Sequence, residues 1–180
     1  MDHILKTDRL SLLPLHESDI GFMRELMARP ESYYYDSDSA KTNDEIAKEC
    51  LRYCERSKEL PDEGAIRWIV KSKDVSVGEV HVQCNWEPTR EWEIGWHFLP
   101  EHWGQGFATE AVKAVIGHVF TNFRINRLAA FLNADNQRSA ALAERVGMIR
   151  EGRLREVRYV RGVYYDEYVF SILKREYNPS

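Results

Sequence analysis

Trp92-Glu-Ile-Gly-Trp-His-Phe-Leu-Pro-Glu-His-Trp-Gly-Gln-Gly-Phe-Ala-Thr109 holds a strand, a glycine-bearing loop and the first turn of a helix in one stretch. Trp92, Ile94, Trp96 and Phe98 alternate with Glu93, Gly95 and His97, the period of a strand with two unlike faces. Pro100 ends it. From Phe107 the period changes: Phe107/Ala108, Ala111/Val112, Val115/Ile116 and Val119/Phe120 form a doubled apolar stripe every four residues. That is an amphipathic helix with a wide buried face. Gly104 and Gly106 stand at the junction, where the backbone must turn and leave its N–H groups accessible. A helix start opened by small residues is a ready anion site.

Downstream, Arg127–Asn133 reads as a further strand with Leu128, Ala130 and Leu132 on one face. Asp135 or Asn136 caps a helix running to Val146, and Gly147 suits its C′ position. Two strands follow, about Leu154–Val160 and Tyr164–Leu173, turned at Arg161-Gly162. Upstream, Ala65–Lys71 and Val77–Cys84 form an antiparallel hairpin across Lys73-Asp74. Leu5–Pro14 reads as a first strand, and Ser18-Asp19 as the cap of a helix through Met27 that Pro30 closes. Glu31–Ala40 is a polar loop carrying Tyr33, Tyr34 and Tyr35. Thr42 and Glu45 make a capping box for a helix through Cys54, and Pro61–Gly64 is a turn. This order predicts an α+β or mixed α/β fold with one parallel pair, formed by the crossover from Trp92–Leu99 to Arg127–Asn133. The helix after Gly106 then starts at the C-terminal end of its strand, where open α/β sheets place ligands.

The chain has 180 residues, which fits one domain over 1–180. A hydrophobic content of 43% supports an ordinary globular core, and the net charge of −4 argues against general nucleic-acid binding. A polyanionic ligand must then be held by local donors. Cys50, Cys54 and Cys84 show neither a disulfide framework nor a zinc pattern, so no metal is expected. No segment is apolar enough to cross a membrane or direct secretion, and the expected location is cytoplasmic.

Two phosphate-binding loops fail against this stretch. A P-loop needs a lysine after its second glycine, and a Rossmann loop needs a third glycine where Thr109 stands. What remains is Gly104-Gln105-Gly106-Phe107-Ala108, whose consecutive N–H groups suit either a pyrophosphate or an ordinary tight loop. Its flanks carry more. Glu93-Ile94-Gly95-Trp96 and Trp103-Gly104-Gln105-Gly106-Phe107-Ala108-Thr109-Glu110-Ala111 resemble the acyl-CoA motif of the GNAT N-acetyltransferases, in their RimJ/RimL-like branch. The likeness continues through Asn133–Ser139, Glu144–Met148, Glu151-Gly152 and Gly162 to Asp166. At the start, Thr7-Asp8-Arg9-Leu10 matches the family's opening strand.

The resemblance implies a GNAT fold: a mostly antiparallel twisted sheet of about six or seven strands with one V-shaped parallel pair, flanked by about four helices. It implies acetyl-CoA as co-substrate, lying in the V with its pyrophosphate on Trp103, Gly104, Gln105, Gly106, Phe107, Ala108 and Thr109. Asn133, Asn136 and Ser139 would follow the pantetheine arm, and a backbone N–H of Phe98 or Leu99 would meet the oxyanion. In this branch the residue between the glycines is often basic, and here it is Gln105.

Transfer to an amine needs a base and a proton for the departing thiolate. Glu93 and Glu156 are the candidate bases; Glu93 reads equally as a solvated strand carboxylate, and Glu156 more readily as a charge opposite Arg153, Arg155 and Arg158. His97 shares the polar face of Glu93 and reads either as a base or, as a lone strand histidine more often does, as a structural hydrogen-bonder. A tyrosine acid common in the family aligns with Ala143, leaving Ser139 as the hydroxyl. Tyr33, Tyr34, Asp36 and His97 are the candidate acceptor contacts, in a region that suits a cationic amine. The expectation is an N-acetyltransferase for a primary amine, monomeric or homodimeric. The alternative is a non-catalytic acyl-CoA-binding module.

Overall fold

The computed structural model describes residues 3–60 and 62–178. Among these, β1 (Leu5–Lys6), β2 (Ser11–Pro14), β3 (Ala65–Ser72), β4 (Val75–Trp86), β5 (Glu91–Phe98), β6 (Arg127–Asn133), β7 (Ile149–Val160) and β8 (Val163–Leu173) form one sheet. Their order is β1-β2-β3-β4-β5-β6-β8-β7, so the sheet has 8 strands. The helices are α1 (Ile20–Ala28), the four-residue α2 (Pro30–Tyr33), α3 (Asn43–Arg56), α4 (Phe107–Asn122) and α5 (Gln137–Arg145). The mixed α/β architecture is the one expected.

Two expectations at the N-terminal end change. Leu5–Pro14 is not one strand: β1 and β2 pair antiparallel around a turn at Thr7–Leu10. Thr7 causes it, since its N–H donates to the Leu10 carbonyl at 3.0 Å and its hydroxyl accepts from the Leu10 N–H at 3.0 Å. Pro30 closes α1 but also opens α2, because a proline at the first helical position gives up only an N–H that would be unpaired anyway. Tyr33 therefore ends a helical turn instead of lying in a loop. Of the expected turn at Pro61–Gly64, Pro61 lies outside the described residues.

The strand period divides the core in two. Trp92, Ile94 and Phe98 of β5, with Ile66, Trp68 and Val70 of β3, face α4 and α5 in the larger cluster. The α4 stripe Ala111, Val112, Val115, Ile116, Val119 and Phe120 is fully buried there. Full burial of each large apolar side chain is worth about 1.5–3 kcal/mol, which is what holds α4 to the sheet. On the opposite face Ala65 and Ile69 pack with Met23, Leu26, Ile46, Cys50 and Tyr53 of α1 and α3. The Thr42/Glu45 capping box starts α3 as expected. At the end of α5 the Gly147 N–H donates to Glu144 and the Met148 N–H to Ala143, both at 3.0 Å, satisfying the last carbonyls.

One strand pair positions everything that follows. β5 and β6 run parallel and pair only at Glu91↔Arg127, Trp92↔Leu128 and Glu93↔Ala129. Beyond Glu93 and Ala129 the strands diverge, each continuing on its outer partner, β4 or β8. Arg127 clamps the closed end, donating to Glu91 at 2.6 Å and to Glu151 at 2.7 Å. The open end is a V whose mouth faces the start of α4.

Candidate active site

A cleft of about 1740 Å³ fills the V and runs from the glycine loop to the Tyr34–Asp36 loop. At its mouth Gly106 has φ 81°, a left-handed conformation that favours glycine, and α4 has no side-chain cap. The first backbone bond of α4 is Glu110 N–H to the Gly106 carbonyl at 3.1 Å. The N–H groups of Phe107, Ala108 and Thr109 therefore have no partner within the helix and stand at the cleft.

Arg9 supplies the charge that Gln105 lacks. Its guanidinium donates to the Gln105 carbonyl at 2.9 Å and to Glu110 at 2.7 Å, and lies 5.0 Å from the Phe107 ring centroid. Lys113, Arg138 and Arg145 line the same end of the cleft. Arg138 packs over the Trp103 ring at 4.2 Å, and the Trp103 indole donates to the Phe98 carbonyl at 2.8 Å. An acidic protein thus presents a basic rim at one helix start. The opening turn, not the glycine loop itself, brings the nearest cation.

Backbone alternation separates the two oxyanion candidates. The Leu99 N–H donates to Val77 at 3.0 Å, and the Leu99 side chain is buried on the α1–α3 face. In an antiparallel ladder the neighbouring residue turns its N–H the other way. That leaves the Phe98 N–H directed at the open side of β5, where no strand pairs with it.

Ser139 faces the cleft across the V, where its hydroxyl accepts from the Trp96 indole at 3.4 Å. Asn136 caps α5 by accepting from the Ser139 N–H at 3.1 Å. Asn133 is buried and committed to structure: its amide nitrogen donates to the Tyr35 carbonyl at 3.1 Å, and its oxygen accepts from the Asp135 N–H at 2.9 Å. Ala143, in the place of the family's tyrosine, is buried in the core.

On the acceptor side Glu93, His97, Tyr34, Asp36 and Arg158 line one wall. Glu93 accepts from the Asn85 amide at 3.0 Å. Four predicted residues are not brought to the cleft: Leu99, Gln105, Tyr33 and Glu156. The Gln105 amide turns back to the Glu101 carbonyl at 3.1 Å. Glu156 stands at φ 51° in a bulge of β7, beside Arg155 and Asp166 on a separate surface. Sequence reading missed Arg9, Lys113, Arg138 and Arg145, and it missed what lies behind His97.

That hidden layer is buried and charged. Glu79 of β4 is fully buried, with His81, His97 and Arg67 around its carboxylate. Burial alone would raise its pKa, but His81, Arg67 and the His97 hydrogen bond outweigh burial and hold it well below the ordinary carboxylate range. The ligand-capable atoms of Glu79, His81 and His97 lie within 4.8 Å of one another. Both Nδ1 atoms bond the carboxylate itself and Arg67 ion-pairs with it, so the group forms a hydrogen-bonded network.

Comparison with known proteins agrees with this geometry. Residues 9–149 match the family model described as an acetyltransferase (GNAT) domain. The chain is 29% identical over 174 residues to the uncharacterized N-acetyltransferase YoaA of Bacillus subtilis (strain 168), covering 95% of this chain and 97% of that protein. It is 36% identical over 88 residues to a putative ribosomal N-acetyltransferase, YdaF, of the same organism, covering 49% of this chain and 48% of that one. Among solved structures, RimL, a ribosomal L7/L12 alpha-N-protein acetyltransferase in complex with coenzyme A, superposes with a TM-score of 0.84 at 19% identity, covering 95% and 98% of the two chains. With a family model spanning most of its length and a cleft built in that family's manner, the chain belongs to the GNAT acetyltransferases and is an N-acetyltransferase.

Proposed function

We propose that the chain moves an acetyl group from acetyl-CoA to a primary amine by direct attack of the amine on the thioester. The observation that carries this reading is the unpaired stretch of β5 and β6, which ends at an uncapped helix start with Arg9 beside it. The pyrophosphate fits the N–H groups of Phe107, Ala108 and Thr109, with Gly104 and Gly106 leaving the backbone bare and Arg9, Lys113 and Arg145 adding charge. The basic rim makes the global charge of −4 immaterial at this spot.

In the reaction, the amine nitrogen loses a proton and bonds to the acetyl carbon. The Phe98 N–H supports the resulting oxyanion. The C–S bond then breaks, and the thiolate takes the second nitrogen proton, relayed by the Ser139 hydroxyl. The acceptor wall of Glu93, His97, Tyr34 and Asp36 suits a cation. An α-amine with pKa about 8 costs about 1.4 kcal/mol to neutralise at pH 7, against about 4.6 for a lysine. That difference, with the likeness to YdaF and RimL, favours a protein N-terminal α-amine as acceptor. The Cys50 and Cys54 thiols fit a reducing cytoplasm.

The test is thiol release from acetyl-CoA over a panel of N-terminal peptides, polyamines and amino-acid derivatives, with CoA binding measured in parallel. Release with at least one amine is the expected result. Tight CoA binding with no release across the panel would instead mark an acyl-CoA-binding module.

A further inference from the structure

We propose that His97 is the general base of the transfer and that buried Glu79 is its positioning residue; this rests on the N-acetyltransfer reading above. His97 sits on β5 directly opposite Glu79 on β4. Its Nδ1 lies 2.6 Å from Glu79 Oε1, while its ring lines the cleft. With Nδ1–H donated to the carboxylate, the lone pair falls on Nε2, the nitrogen left for the cleft. A base needs that tautomer, and a buried carboxylate behind the ring enforces it.

The surroundings are built around this pair. Glu79 is 0% exposed, a position no carboxylate holds without dedicated partners. Arg67 of β3, itself 3% exposed, supplies one at 3.2 Å. Arg67 is shared with Glu49 of α3 at 2.7 Å, and Glu49 also pairs with Lys41 near the surface. The result is an alternating chain, Lys41–Glu49–Arg67–Glu79–His97, from the outer side of α3 to the cleft. Its first four charges cancel.

His81 completes the support. Its Nδ1 also bonds Glu79, at 3.1 Å, and its ring stacks on His97 with centroids 6.3 Å apart and planes 14° from parallel. Gly95 makes room for it: a Cβ there would meet the His81 ring at 2.5 Å. Tyr53 of α3 closes over His81 at 5.7 Å. Other charged groups lining the cleft are Glu93 on the same strand as His97, and Asp36 and Arg158. Glu93, tied to Asn85 and Gln83, is then free to hold the ammonium form of the incoming amine.

The proton balance closes. His97 Nε2 takes one proton from the ammonium and later releases it to solvent. The neutral amine forms the C–N bond, the C–S bond breaks, and the second nitrogen proton goes to the thiolate. Net, an ammonium and acetyl-CoA give an amide, free CoA and one proton.

The test is the pH profile of kcat/KM for the wild type, His97→Ala and Glu79→Gln, with CoA affinity measured for each. His97→Ala is expected to lower kcat at least 100-fold with CoA affinity changed less than twofold, and added imidazole is expected to restore at least tenfold. Glu79→Gln is expected to lower kcat about tenfold with KM for the amine changed less than twofold, because the imidazole loses the partner that fixes its tautomer. If Glu79→Gln does not fold, imidazole rescue of His97→Ala decides alone. A wild type that releases thiol while His97→Ala keeps more than half its kcat overturns the pair and leaves N-acetyltransfer standing. No thiol release from the wild type overturns both.

Discussion

Arg9 and Glu110 lie 101 residues apart and are joined twice, guanidinium to carboxylate at 2.7 Å and Arg9 N–H to the same carboxylate at 3.1 Å. This fixes the turn after β1 against the first turn of α4. Burial would raise the Glu110 pKa, but hydrogen bonds from Thr7 and Arg9 outweigh it and lower it. Glu110 thus stays ionised at the helix start proposed for the ligand anion, and Arg9 would keep the two from repelling. Arg9→Ala is expected to weaken CoA binding about tenfold, or about 1.4 kcal/mol. Calorimetry at low and high salt checks it. The difference between wild type and variant should shrink as salt rises, and equal affinities at low salt would remove Arg9 from the site.

Gly106 separates conformational strain from occlusion. At φ 81° any L-residue costs about 1–2 kcal/mol, and an added Cβ would stand 3.3 Å from Arg9 Nη2, the movable end of a long side chain. Gly106→Ala is therefore expected to lower stability modestly and keep measurable CoA binding. Gly106→Trp is expected to fill the cradle and weaken CoA binding more than about 30-fold, or about 2 kcal/mol. Titration of both variants with CoA tells the effects apart. Similar losses in the two would mean that backbone strain alone accounts for the change.

Arg161 ties the acceptor wall to the β7–β8 turn. Its guanidinium lies 4.2 Å from the Tyr34 ring centroid and donates to the carbonyls of Tyr34 and Ser37, while its N–H donates to Asp38. Nothing connects it to the glycine loop. Arg161→Ala is expected to raise KM for the amine about five- to tenfold and leave KM for acetyl-CoA unchanged. Initial rates with each substrate varied in turn provide the check. Equal effects on both KM values would point to a global loosening.

The legible part of this protein was local. The doubled stripe from Phe107 to Phe120, the two glycines before it and the alternation of Trp92–Phe98 are short-range patterns, and each became the expected element. Thr7-Asp8-Arg9-Leu10 misled because Leu10, Leu12 and Leu13 suggest one continuous strand, while Thr7 closes a turn that composition does not reveal. The buried charge chain stayed hidden for a different reason. Arg67, Glu79 and His97 lie on three strands and meet only through the β3–β4–β5 register. A signal was nevertheless present: Arg67 is the lone charge in Ala65-Ile-Arg-Trp-Ile-Val70, and a cation in a strand buried on both faces requires a buried anion. Glu156 carried no such signal. An isolated carboxylate in an Arg-rich strand looks the same whether it faces a substrate or, as here, the outside of a bulge.

That charge chain also sets the edges of the pH range in which the fold is stable. Burial alone would raise the Glu49 pKa, but Arg67 and then Lys41 outweigh burial and hold it down at about 2, against an ordinary 4.5. A carboxylate depressed on folding stabilises the native state above its unfolded pKa. It loses that contribution as pH falls from 4.5 toward 2. Tyr53 works at the other edge: burial pushes its hydroxyl up from 10 to about 12, so its contribution holds below pH 10 and fades as pH rises toward 12. Urea midpoints should therefore fall as pH drops below 4.5 and as it rises above 10. Glu49→Gln is expected to cost on the order of 2 kcal/mol at pH 7, a figure already reduced for the partial exposure of Glu49. Its deficit should shrink as pH falls below 4.5 and close as pH approaches 2, where the wild type loses the same charge. Unfolding at pH 7, 5 and 3 measures this directly, and a deficit independent of pH would mean that Glu49 acts through packing and not through its charge.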